Sequence, residues 1–176
     1  MKKLVYGVGL NDMSGMSSSD KYKIWAKMLC RARSIHESVD EMNKNISDEF
    51  KLFSSFHKWC SSQKGYYFYG AMVCENLLDR NNKKFNAETC VVLSSKITYI
   101  LNYRLDWSIR KLEDGKYFAE APSTMKGKIY LGNFESHDEA LLAYKDSVKN
   151  SLSLLILHFR ERMDDRTISE LENFTP

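Results

Sequence analysis

The spacing of apolar positions changes several times along the chain, and each change marks an element. Between Asp20 and Ser34 the residues Tyr22, Trp25, Leu29 and Ala32 recur three or four apart, which predicts a helix with one buried stripe. Lys23, Lys27, Arg31 and Arg33 point elsewhere on that helix, as a solvated or phosphate-contacting side. A second helix is predicted from the capping residues Ser47 and Asp48, with a stripe of Phe50, Phe53, Phe56, Trp59 and Cys60 that demands a core around it. His57 falls on the flank of that stripe, and "HESVDEMNKN" between the two helices reads as a polar loop. The segment up to Ser19, with Gly7, Gly9, Gly15 and three consecutive serines, is expected to be irregular, with at most one short strand around Leu4 to Val8.

Further on, "GYYFYGAMV" reads as a turn and a strand, and Asn76 to Asn86 as a polar loop. "ETCVVLSSKITYILNYR" fits a buried strand or a helix start, followed by an apolar segment at Ile97, Ile100 and Leu101. Two alternating runs, "GKYFAEA" and "GKIYLGNF", flank a turn at "PSTMK", and "WSIRKL" supplies a third strand. Ser136 and Glu139 form a capping box for a helix with Ala140, Ala143, Tyr144, Val148, Leu152, Leu155 and Phe159 along one stripe. Thr167 and Glu170 repeat that pattern for a short last helix. The expected fold class is α+β: a three-stranded antiparallel sheet packed on one long helix, after a largely helical first half.

Composition narrows the functional classes. With 43% apolar residues among 176, the chain can bury about two thirds of its unfolded surface, so a folded chain is expected. A net charge of +3 permits a phosphate-bearing partner without requiring one. The cysteines Cys30, Cys60, Cys74 and Cys90 have no C-x-x-C spacing and no histidine at ligand distance in sequence, so they read as reduced core thiols and not as a metal site. "GVG" lacks the flanking glycines and lysine of a phosphate loop. The start lacks a signal-peptide cleavage pattern and "LSLLIL" is too short to span a bilayer, so the reading is a soluble intracellular protein without a membrane partner.

The run "GKYFAEAPSTMKGKIYLGNFESHDEALLAYKDSV" resembles the Apetala/ethylene-response-factor type of DNA-binding domain, matching at Gly115, Lys116, Tyr117, Ala119, Leu131, Gly132, Phe134, Ser136, Glu139, Ala140, Ala143 and Tyr144. The segments "YGVGLND", "YKIWAKMLCRARS", "DEFKLFSSFHKW" and "NKKFNAETCVVL" resemble, in order, the part that precedes such a domain in tailed-bacteriophage HNH-type endonucleases. The resemblance implies a degenerate HNH-like region over 1–100, an Apetala-like domain over 101–163, and a short helix and tail over 164–176. It also implies a place of action in the cytoplasm of an infected bacterium.

The departures from that pattern decide the chemistry. An acidic L-D-K-D segment would fall on Val73, Cys74, Glu75 and Asn76, and both aspartates are missing. Asn82, Lys83, Glu88, Thr89 and Cys90, which would order the loop, remain. A nuclease of this type needs a general base and a divalent ion, and Glu75, Asp79, Asn82 and His57 make a poor set for either. No cofactor, metal or small-molecule substrate is therefore expected, and no catalytic residue. The resemblance places double-stranded DNA on the exposed sheet face, at Arg110, Lys111, Lys116, Lys126, Lys128 and Tyr130. Arginine would read guanine edges and the lysines would neutralise phosphates. The alternative is an inhibitor of a host defence or nucleic-acid-processing protein, docking through Tyr66, Tyr67, Phe68 and Tyr69. An active metal-dependent nuclease ranks third.

Overall fold

The structure, a computed structural model, describes residues 3–67, 70–79, 81–103, 105–124 and 127–176. It is α+β, as the patterning predicts, and divides into two compact units: residues 1–95 with 162–167, and residues 96–161 with 168–176.

In the first unit the Trp25 stripe forms α1 (Asp20–Ile35), capped by Ser19, whose hydroxyl accepts from the Tyr22 amide. The polar stretch expected to be a loop contains α2 (Val39–Asn45) instead. Ser38 accepts from the Glu41 amide at 3.1 Å while Glu41 reaches back to the amide of Glu37, so local capping outweighs the low apolar content. The aromatic stripe is one continuous pattern, yet it is split into α3 (Asp48–Lys51) and α4 (Phe53–Ser62). Leu52 is extended at the break because it pairs with Leu10: the Leu10 amide donates to Lys51 O at 2.7 Å and the Phe53 amide donates to Leu10 O at 3.1 Å. Asp12 then caps α4 from outside, accepting from the Ser54 amide at 2.8 Å and from its hydroxyl.

Trp25, Phe50, Phe53 and Phe56 are fully buried, and Trp25 Nε1 donates to Phe50 O at 2.7 Å, so the indole adds its polar edge to the core without an unpaired donor. The expected strand at Leu4 to Val8 is only a single bridge, Val5 to Gly9. Lys64–Tyr67 is a short 3-10 helix, and among the described residues the strand signalled by "GYYFYGAMV" is β1 (Met72–Cys74). β1 pairs antiparallel with β2 (Val91–Leu93), and the described residues between Asn76 and Asn86 carry no helix or strand, as the predicted polar loop requires.

In the second unit, α5 (Ser95–Leu101) buries Ile97, Thr98 and Ile100. The sheet has the order β3 (Ile109–Lys111), β4 (Tyr117–Ser123), β5 (Gly127–Phe134), all antiparallel. It is followed by α6 (His137–Phe159), where Ser136 accepts from the Glu139 amide at 3.2 Å, the predicted capping box. Ala140, Tyr144, Val148, Leu152 and Leu155 are its buried stripe. Ala119 and Ala121 of β4 are fully buried on the same side, where small residues let the helix approach. The last helix, α7 (Asp165–Glu172), has residues 165–167 in the first unit and 168–172 in the second, and begins earlier than the Thr167 signal: Asp164 accepts from the Thr167 amide at 2.7 Å and is the cap.

Candidate nucleic-acid interface

Register assigns each side chain of the sheet to a face. Arg110 pairs with Phe118, and Phe118 with Asn133, so these three share the face opposite to buried Ala119 and Ala121. Glu120 pairs with Tyr130 on that same face. Regular pairing beyond Ala119 and Gly132 would match Glu120 with Leu131 and send Tyr130 to the helix side. A β-bulge between Ala119 and Glu120 leaves Leu131 unpaired and keeps Tyr130 outward. Gly132, next to the bulge, has a φ of 138°, which only glycine adopts at low cost.

The result is a row of side chains crossing all three strands. The Arg110 guanidinium carbon lies 4.1 Å from the Phe118 ring centroid, and Phe118 stacks on Tyr130 at 5.1 Å and 25°. Tyr130 is 60% exposed, so the row ends in solvent. At such exposure each of these contacts is worth about 0.5–1 kcal/mol, less as stability than as a means of holding the arginine in one orientation.

The remaining cations are placed less favourably. Lys128 lies on the same face, but its ammonium is 2.7 Å from Glu120, whose side chain is only 15% exposed. Glu120 also accepts from the Tyr103 hydroxyl at 3.3 Å. Burial, and then the Glu120 charge, push the Tyr103 phenol up to about 12. Lys116 closes the β3–β4 turn, where Gly115 takes a φ of 88°, and donates to Glu135 at 2.7 Å; that bond raises its pKa. Lys111 pairs with Tyr117, one residue out of phase with Arg110, which puts it on the α6 side with its ammonium 5.9 Å from the Tyr117 ring. Arg110 and Lys111, grouped on one face by the sequence reading, therefore diverge. Lys126 lies outside the described residues. Phe118, central to the row, was missed, although its position one residue from Ala119 in "KYFAEA" carried the signal.

Charge is also distributed unevenly. The second unit holds ten Lys and Arg against eleven Asp and Glu, whereas the first holds sixteen against twelve.

The residues read as remnants of a nuclease form a structural loop. Asn82 Nδ2 donates to Glu75 O at 2.6 Å, to Lys84 O at 2.7 Å and to Thr89 Oγ1 at 3.2 Å, while its Oδ1 accepts from the Lys84 amide at 3.1 Å. Glu75 is buried and pairs with Arg31 at 3.1 Å. His57 lies edge-on to Phe53 at 5.8 Å, and burial, then the charge of Lys21, lower its pKa. Among the described residues no three His, Cys, Asp or Glu side chains converge as a metal site requires. Cys60, Cys74 and Cys90 are buried free thiols, pushed up to about 11, about 11 and about 12, chiefly by burial.

Of the aromatic segment offered as a protein-docking surface, Tyr66 and Tyr67 do not alternate as strand residues would: their rings lie 3.7 Å apart within the 3-10 helix. Phe68 and Tyr69 lie outside the described residues. Among the described residues no helix is long and apolar enough to cross a membrane. Compared with protein-family models, with curated proteins and with solved structures, the chain matches none.

Proposed function

We propose that the protein is a phage accessory factor that binds double-stranded DNA through the solvent face of its three-stranded sheet, without cutting it, in the cytoplasm of the infected bacterium. The observation that carries this reading is the row Arg110–Phe118–Tyr130, which holds a guanidinium against an aromatic ring on an exposed sheet face. A two-stranded ribbon or sheet fits the major groove, and an arginine held in one orientation suits the O6 and N7 acceptors of guanine. The resemblance to the Apetala-type sequence supports the same surface. The commitment of Glu75 to Arg31 and of Asn82 to backbone carbonyls supports a module that does not cleave.

The test is fluorescence anisotropy on a duplex library at several salt concentrations. If about four phosphates are neutralised, affinity falls on the order of a hundredfold between about 50 and about 200 mM salt. Arg110→Ala should flatten the sequence preference. Binding that is insensitive to both salt and Arg110→Ala would remove the reading.

One observation favours a second reading, in which the partner is a host protein. The sheet unit has no cationic excess, and its exposed residues include Trp107 and Tyr130 at 71% and 60% exposure, the residue types that anchor protein interfaces. Pull-down from bacterial lysate with and without nuclease separates the two: a partner retained after nuclease and lost in Tyr130→Ser supports the protein.

A further inference from the structure

We infer that a cleft in the first unit is a binding site for a nucleotide, separate from the three-stranded sheet. The cleft, about 660 Å³, is lined by Asp20, Lys23, Ile24 and Lys27 of α1 together with Tyr66, Tyr67, Gly70 and Ala71, so two cations face one carboxylate. That volume lies within the range of small-ligand sites and suits one nucleotide unit. Three features define its ligand. Ile24, 5% exposed, and Ala71, 4% exposed, supply an apolar floor.

Tyr67 supplies a flat wall. It is 68% exposed, and its ring is braced against Tyr66 at 3.7 Å; the bond between the two hydroxyls pushes Tyr66 up to about 12. Tyr66 is held in turn by Lys21, whose ammonium lies 4.5 Å from its centroid and donates to Ser61 at 2.6 Å. An exposed aromatic ring immobilised from behind stacks a planar ligand at small entropic cost, and every nucleobase offers such a face.

Cations supply the third feature. Lys23 and Lys27 stand four residues apart, on one side of α1, and both line the cleft. Lys23 pairs with Asp20 at 3.0 Å, but both partners are largely exposed, 61% and 90%, so a phosphate can displace that contact cheaply. An apolar floor, a braced tyrosine and two lysines together select a ligand that is aromatic at one end and anionic at the other. A free phosphate would not use the tyrosine, and a neutral base would not use the lysines.

A nucleotide unit can come as a free mononucleotide or as part of a single strand, and calorimetric titration of the full chain distinguishes them. The probes are deoxyadenosine 5′-monophosphate, deoxyadenosine, inorganic phosphate and a 5′-phosphorylated single-stranded oligodeoxyadenylate. The monophosphate unit is expected to bind at least about tenfold more tightly than deoxyadenosine or phosphate. Tyr67→Ala should weaken it about tenfold, within the range of base–aromatic stacking, while Tyr67→Phe keeps it. Lys27→Gln should weaken it several-fold and reduce its salt dependence. Both lining residues are exposed, so the melting temperature of each variant should stay at that of the parent. Binding of the mononucleotide alone assigns the cleft to free nucleotides; tighter binding of the strand, with the same Tyr67 dependence, assigns it to single-stranded DNA. Failure of both, equal affinity for deoxyadenosine and its phosphate, or indifference to Tyr67→Ala overturns the site.

Discussion

Glu120 holds Lys128 at 2.7 Å on the solvent face of the sheet, so the cation best placed to meet a phosphate is already neutralised by a nearly buried carboxylate. Glu120 cannot easily swing away, because it also accepts from Tyr103. If the sheet binds DNA, this carboxylate opposes binding, both by repelling phosphates and by occupying Lys128.

Glu120→Gln is therefore predicted to strengthen DNA binding. The amide still accepts from Tyr103, so the fold is kept, while Lys128 is released. Anisotropy over a salt series should show higher affinity and a log–log slope steeper by roughly 0.9, one additional phosphate contact. An unchanged slope would mean that Lys128 does not reach the DNA.

Thiol chemistry should separate Cys30 from the rest. It is exposed, whereas Cys60, Cys74 and Cys90 are buried with pKa values pushed up to about 11, about 11 and about 12. A thiol-specific reagent at pH 8 should label one cysteine quickly in the native protein, and three more only after denaturant is added. Cys30→Ser should abolish the fast phase. The linked effect on stability has a definite sign. These folded-state values lie above the ordinary thiol value of 9.0, so the folded protein holds the three protons more tightly than the unfolded chain. The stabilisation is complete below about pH 9 and is lost as the pH rises through 11 to 12, which urea denaturation across an alkaline series would record.

Asn82→Ala should cost about 1–2 kcal/mol. It deletes one side chain that donates to the carbonyls of Glu75 and Lys84 and accepts from the Lys84 amide; the bond to Glu75 O is the partly buried one, whereas Lys84 is exposed and its carbonyl still accepts from Thr89 Oγ1. Chemical denaturation should show the loss, with faster proteolysis within 75–90. A neutral result would mean that the loop is ordered by Thr89 and Asn86 alone.

Breaking the Arg31–Glu75 pair should be asymmetric. Arg31→Ala strands a buried carboxylate and should cost about 3 kcal/mol, whereas Glu75→Gln keeps an acceptor and should cost about 1 kcal/mol or less. Equal losses in thermal denaturation would show that the charge of Glu75 is solvated rather than paired.

Sequence patterning located most of the elements but not the breaks imposed by distant residues. The stripe of α6 and its Ser136–Glu139 box were legible because both are local. The split at Leu52 was not, since a continuous aromatic stripe gives no sign that Leu10 will pair there. α2 carries a local signal in Ser38 and Glu41, but its single buried apolar residue, Met42, leaves the stretch reading as a loop by hydropathy. On the sheet, the cations could be found from sequence, but their faces could not: the alternation separating Lys111 from Arg110 was readable, and the bulge carrying Tyr130 outward was hidden in a single glycine. The partners that neutralise Lys116 and Lys128 lie 19 and 8 residues away, beyond any spacing rule.

The bulge also decides where β5 tolerates a change of length. Tyr130 can become phenylalanine, or Lys128 arginine, with the surface intact. Removing Leu131, the residue without a cross-strand partner, would close the bulge and leave Tyr130 opposite Glu120 and Lys128 opposite Pro122, so both faces of the strand would keep their side chains. Removing Ile129 instead would bring Lys128 opposite Ala121 and turn it towards α6, so the loss of one codon is absorbed at the bulge and exchanges outer for inner positions two residues earlier.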